Sequence, residues 1–187
     1  MNMRSQVMVK LEIKLENKKI KIGILGGSFD PAHKGHLAIS KEAKKRFKLK
    51  KVIWAITKKN PFKKESKKSV SVRIKYCRKI IGSNSFIKVK FYENIIKSNK
   101  TINLINHLKK NKRFEIYFLM GADNLINFHK WYKSKLISQK CNILVFDRHG
   151  YKKNSLKSKT FRQLSKTNLE FIEFNKVNIS SSQLRKI

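Results

Sequence analysis

The 187-residue sequence predicts the α/β class: an open, mostly parallel sheet with helices on both faces. Two observations carry that expectation. From Lys19 onward, short apolar runs alternate with longer amphipathic stretches, the pattern of strands joined by crossover helices. The rare residues of the chain are also placed one-sidedly. The aspartates Asp30, Asp123 and Asp147 each lie just past an apolar run, as do Pro31, Pro61, Gly26, Gly27, Gly35, Gly121 and Gly150. Gly and Pro belong in turns anyway, but the loops at the other ends of these runs hold almost none of them. Open α/β sheets bind ligands outside the carboxyl ends of their strands, so the asymmetry marks one functional edge of a Rossmann-like sheet.

The elements follow in order. Residues 20–25 (Ile-Lys-Ile-Gly-Ile-Leu) predict the first strand, and Gly35 to Phe47 a helix with Leu37, Ala43 and Phe47 roughly on one face. Val52 to Ile56 is a second strand, Ser71 to Ile81 a second helix, and the alternating stretch from Phe86 to Phe91 a third strand. Thr101 to Lys110 is helical, Glu115 to Met120 a strand, and Asn124 to Tyr132 a further helical stretch. Asn142 to Phe146 and Leu169 to Phe174 are the last strands, and Ser181 to Lys186 starts a final helix. No repeat or low-complexity linker interrupts residues 19–187, which are expected to form one domain. Residues 1–18 stand apart as a leader. There Val7, Val9, Leu11, Ile13 and Leu15 alternate as an edge strand would, and a disordered leader or an early start codon fits equally well.

Composition narrows the function classes. Forty-six basic residues against 11 acidic ones give a formal charge of +35, a field that attracts polyanions. The lysines are spread over almost every segment, however, and no RNP, zinc-finger or helix-turn-helix pattern accompanies them. Compositional bias is the favoured explanation, and nucleic acid is not an expected partner. Two distant cysteines, Cys77 and Cys141, lack metal-ligand spacing and indicate a reducing compartment. No apolar run reaches the ~18 residues of a membrane span, and the leader has no signal-peptide core. The expected location is the cytoplasm, with no membrane partner and a homo-oligomer left open.

The chemistry concentrates in Gly26-Gly27-Ser28-Phe29-Asp30-Pro31-Ala32-His33-Lys34-Gly35-His36, which runs from the first strand into the first helix. Glycines let a backbone approach phosphate closely, and the N–H groups of a helix start bind anions. The spacing from Gly23 does not fit the dinucleotide fingerprint, and no Gly-Lys-Ser/Thr closes a P-loop. Two histidines three residues apart at a helix mouth supply donors to phosphate oxygens, and phosphoryl-type transfers depend on such positioning. In isolation, a polar cluster or half a metal site explains the pair equally well.

As a whole, this string resembles the first signature of the H-x-G-H nucleotidyltransferases, in the version of the bacterial nicotinate-nucleotide adenylyltransferases. Ile179-Ser180-Ser181-Ser182-Gln183-Leu184-Arg185 is similar to the second signature, I-S-S-T-x-[IV]-R. On residue chemistry alone, serines opening a helix and an arginine fork also make an N-cap with a tail arginine. Met120-Gly121-Ala122-Asp123-Asn124 with Phe128 and Trp131 resembles the G-A-D-x…F-x-x-W region. Asn60-Pro61-Phe62-Lys63 resembles the segment that cradles the mononucleotide, Asp147-Arg148 the R-P-G turn with His149 in place of proline, and Arg73 an arginine of the second helix. The T-x-[DE]-T-L stretch reads Thr101-Ile102-Asn103-Leu104-Ile105, without its acid and second threonine. The chain also stops two residues after Arg185, where many members continue.

The resemblance implies transfer of the adenylyl group of ATP to nicotinate mononucleotide, yielding deamido-NAD and pyrophosphate. It implies catalytic roles for His33, His36 and Arg185. ATP would be bound by Gly26, Gly27, Ser28, Phe29, Gly35, Gly121, Asp123, Ile179, Ser180 and Ser181. The mononucleotide would be bound by Asn60, Lys63, Thr101, Trp131 and Arg148. Mg2+ would arrive with ATP and take no ligand from the protein. Three alternatives stand beside it: adenylylation of nicotinamide mononucleotide, adenylylation of phosphopantetheine, and an inactive nucleotide fold that binds nucleic acid.

Overall fold

The computed structural model describes residues 18–59, 66–164 and 168–173. In chain order they form β1 (Ile20–Gly27), α1 (Lys34–Phe47), β2 (Lys51–Ile56), α2 (Val70–Ile81), β3 (Ile87–Lys90), α3 (Glu93–Ile96) and α4 (Thr101–Leu108). There follow β4 (Phe114–Gly121), α5 (Ala122–Leu125), a 3-10 turn (Phe128–Lys130), α6 (Ser134–Lys140), β5 (Asn142–Phe146), α7 (Lys152–Leu156), α8 (Lys159–Leu164) and β6 (Leu169–Ile172). The six strands lie in the order β3-β2-β1-β4-β5-β6, and each neighbouring pair is parallel. The sheet expected to be mostly parallel is therefore wholly so among the described residues.

Strand order and burial both follow from the apolar runs. A strand turns alternate side chains to opposite faces, and a sheet covered on both sides needs apolar residues at every position. On one face Ile22, Ile24, Ile53, Ala55, Ile116, Phe118, Ile143 and Val145 pack with Ile102 and Ile105 of α4 and Ile137 of α6. On the other face Leu25, Val52, Trp54, Leu119, Leu144 and Phe146 pack with Ala43 of α1 and Cys77 and Ile81 of α2. Gly23 has no side chain because Leu49, arriving from the end of α1, takes the space. A Cβ there would stand 2.9 Å from Leu49 Cδ1.

Register places the functional edge. Gly27 pairs with Ile56, Leu25 with Leu119, and Gly121 with Phe146, so β1, β2, β4 and β5 end almost level. The chain builds outward from β1 to β3 and then returns to lay β4 against β1's other side. The gap between the connections that leave β1 and β4 is the switch point of the sheet, where such folds hold nucleotides.

The structure departs from the expected elements in four places. Gly26, Gly27 and Gly121 lie inside strand ends rather than in loops. The helix expected over Asn124 to Tyr132 is instead α5 followed by the 3-10 turn. Its buried residues, Ala122, Leu125 and Phe128, recur every three positions, which suits the tighter winding. The short helices α3, α7 and α8, of four to six residues, carry too few turns to show a period. The last strand ends at Ile172, and Phe174, the expected helix over 181–186 and residues 1–17 lie outside the described residues.

Candidate active site

The first turn of α1 is built by its two histidines. His33 is the N-cap, and its Nδ1 accepts a hydrogen bond from the Gly35 N–H at 3.1 Å. His36, three residues on, returns the contact: the His33 N–H donates to His36 Nδ1 at 3.2 Å. This is a capping box in which imidazoles replace the usual Ser/Thr and Glu. Because each Nδ1 accepts, each ring carries its proton at Nε2. The rings lie 3.9 Å apart, centroid to centroid. The sequence reading had both histidines as phosphate donors but had no account of what orients them. Main-chain bonding of Nδ1 does so, and makes Nε2 the protonated nitrogen of each ring.

The floor beneath them is aromatic. His36 lies 4.8 Å from the Phe29 ring and 5.8 Å from Trp54, and Phe29 stacks on Trp54 at 5.0 Å with 14° between planes. Trp54 Nε1–H donates to Ser40 Oγ at 2.8 Å, and the Ser40 hydroxyl donates to the His36 carbonyl, also at 2.8 Å. Phe29 holds a left-handed φ of 49°, which tucks its ring under the helix start. Its side chain is buried. No acidic residue occupies the first turn of α1, and the positive end of the helix dipole is not neutralised from within. Such a helix start attracts phosphate.

Across the switch point, Asp123 and Arg148 are joined. Arg148 Nη1 donates to Asp123 Oδ2 at 2.7 Å, and the Arg148 guanidinium lies 5.6 Å from the Tyr151 ring. The Arg148 N–H also donates to Asp147 Oδ1 at 2.6 Å. From sequence the two residues were assigned to different substrates; the structure makes them one ion pair. Gly121 is a glycine because Asp123 folds back over it, with Oδ1 2.6 Å from where a Cβ would be.

Trp131 follows the 3-10 turn and packs edge-on against Phe118 at 6.0 Å and beside Phe128 at 5.2 Å. It is half-buried, part of the core margin as well as of the site region. Thr101 opens α4 and is half-buried. Asn60, Lys63, Ile179, Ser180, Ser181 and Arg185 lie outside the described residues.

Sequence reasoning gave no role to Arg73, in α2, beyond its resemblance to a family arginine. Its side chain is buried and donates to four carbonyls: Nε to Lys68 at 3.0 Å, Nη1 to Ser28 and to Thr57, and Nη2 to Lys58 at 3.4 Å. Burial pushes its pKa down, while Asp30, Cys77 and Glu93 pull it back up. Asp30, also buried, accepts from the Lys67 N–H at 2.7 Å. Glu93 accepts from the Thr57 hydroxyl and the Lys58 N–H. The signal for Arg73 was weak, a single arginine in a lysine-rich chain.

Comparison with known proteins places the chain in a family. Residues 24–187 match the family described as cytidylyltransferase-like. A probable nicotinate-nucleotide adenylyltransferase of Pelagibacter ubique is 69% identical over 180 residues, covering 96% of this chain and 100% of that protein. A protein of the same description from Clostridium botulinum is 36% identical, covering 88% of this chain and 84% of its own length. Among solved structures, the nicotinic acid mononucleotide adenylyltransferase of Plasmodium falciparum, complexed with NaAD, superposes with a TM-score of 0.74 at 23% identity. That match covers 89% of this chain and 83% of that one. At that identity the likeness speaks for the fold.

Proposed function

The chain belongs to the cytidylyltransferase-like family and, within it, to the nicotinate-nucleotide adenylyltransferases, and from that premise we propose that the first turn of α1 is its catalytic centre. The enzyme transfers the adenylyl group of ATP to nicotinate mononucleotide. An oxygen of the mononucleotide's 5′-phosphate bonds to the α-phosphorus of ATP. The bond from that phosphorus to the oxygen bridging to the β-phosphate breaks, and pyrophosphate leaves with the electron pair. The product is deamido-NAD. The displacement needs no covalent enzyme intermediate, so the protein's share is positioning and charge stabilisation.

The observation that carries the assignment of roles is the reciprocal His33–His36 cap. It presents two preorganised Nε2–H donors at the positive end of a helix, suited to the α- and β-phosphates of ATP. Gly26, Gly27, Ser28 and Gly35 shape the approach of those phosphates, and the ion pair of Asp123 with Arg148 borders the nucleotide. Asn60, Lys63, Thr101 and Trp131 serve the mononucleotide, and Ile179, Ser180, Ser181 and Arg185 the departing pyrophosphate. Among the described residues no three His, Cys, Asp or Glu side chains gather as metal ligands. A Mg2+ ion brought by ATP would be held mainly by the triphosphate and would supply charge neutralisation there. Both cysteines are buried thiols, and burial pushes each up to about 12.

The test is pyrophosphate release from ATP with nicotinate mononucleotide, nicotinamide mononucleotide and phosphopantetheine in parallel. Turnover is expected to be fastest with nicotinate mononucleotide. His36→Ala is expected to lower kcat by ~10² or more with the fold retained, the scale of losing one preorganised donor. Near-parental turnover of that variant removes the catalytic assignment.

A further inference from the structure

Arg73 lies outside the phosphate-binding turn, yet its guanidinium gathers three segments, from two connections, that meet at the functional edge. Ser28 belongs to the connection leaving β1, Thr57 and Lys58 to the one leaving β2, and Lys68 to the approach to α2. A planar fork with five N–H donors suits such a cluster of carbonyls, and an ammonium group does not. Two carboxylates extend the same construction. Asp30, three residues past β1, holds the Lys67 N–H, and Glu93 of α3 holds the Thr57 hydroxyl and the Lys58 N–H. Carbonyls therefore converge on a buried cation and main-chain N–H groups on two anions, and both anions act on the charge of Arg73.

We infer that Arg73, with Asp30 and Glu93, is a positioning clasp that holds the start and end of the β2–α2 connection against the phosphate loop and thereby sets affinity for the mononucleotide. The inference rests on the functional reading above, in which the β2–α2 connection serves that substrate.

The clasp acts unequally on its two sides. The phosphate loop keeps other anchors without Arg73: Thr57 N–H donates to the Gly27 carbonyl at 3.0 Å, Phe29 is packed on Trp54, and α1 keeps its imidazole cap. On the other side Thr57 and Lys58 keep their bonds to Glu93, but Lys68, at the end of the connection, loses the fork that ties it to them. Misplacement of a substrate-positioning segment by even ~1 Å is costly. The loss belongs in the KM for the mononucleotide, with ATP binding nearly intact. A role in global stability alone would lower the active fraction and leave both KM values unmoved.

Steady-state kinetics with both substrates varied, on Arg73→Lys and Glu93→Ala, test this. Arg73→Lys is expected to raise the mononucleotide KM about tenfold or more while the ATP KM stays within about twofold. Glu93→Ala, changed at a half-exposed site, is expected to move the same KM about threefold in the same direction. A parental mononucleotide KM in Arg73→Lys, or both KM values rising together, overturns the clasp. Should Arg73→Lys fail to fold, Glu93→Ala decides alone, and an unchanged mononucleotide KM overturns it. Failure of the parental enzyme to adenylate nicotinate mononucleotide would instead overturn the functional reading.

Discussion

Helix α1 begins at Lys34 beside two imidazoles and ends among Lys44, Lys45, Arg46 and Lys48. At its C-terminal end Lys41, Lys44, Lys45, Lys48 and Lys50 surround a groove floored by Leu49 and Phe86. By formal charge this second end is the more strongly basic. Two of its cations already have protein partners: Lys44 Nζ sits 5.4 Å over the Phe86 ring, and Arg46 pairs with Glu42 four residues back. Cations in a last turn complement the helix dipole by tenths of a kcal/mol, up to about 1, and need no ligand. At the N-terminal end two neutral rings are fixed by main-chain bonds, and the dipole adds to their donors. A site for a developing negative charge needs donors already in place, and net charge alone does not supply them.

This contrast can be broken by experiment. The largest effect is expected from His33→Ala, which removes both a donor and the N-cap. Turnover should fall ~10²-fold and chemical denaturation should show a loss of about 1 kcal/mol. If only stability falls, the N-terminal end is merely a cap. The smallest effect is expected from Lys45→Ala at the exposed opposite end, where stability should stay within ~0.5 kcal/mol. Turnover should stay within about twofold, since that side chain meets no phosphate in this account. A large loss of activity there would show that the basic groove takes part in the reaction.

Much of this contrast was legible in the sequence. The strand runs were plain because a sheet buried on both faces needs apolar residues at consecutive positions, as in Val52 to Ile56. The functional edge was legible from where Asp30, Asp123 and Asp147 fall. The orientation of the histidines was not. Their spacing shows two rings on one turn, but whether Nδ1 or Nε2 faces the main chain depends on cap geometry. The pairing of Asp123 with Arg148 joins residues 25 apart in sequence, brought together by the β4–β5 register. Arg73 was the hardest to read. Its partners are carbonyls, which every residue has, so no side-chain pattern records them.

The most direct test compares two replacements of His36 that divide its two nitrogens. Asparagine offers an acceptor near the Nδ1 position and no donor near Nε2; glutamine does the reverse. His36→Asn should melt close to the parent and lose ~10² in kcat, whereas His36→Gln should melt lower and turn over about tenfold faster than His36→Asn. Parental turnover in His36→Asn, or His36→Gln no faster than His36→Asn, would contradict an Nε2–H donor held in place by its capped Nδ1.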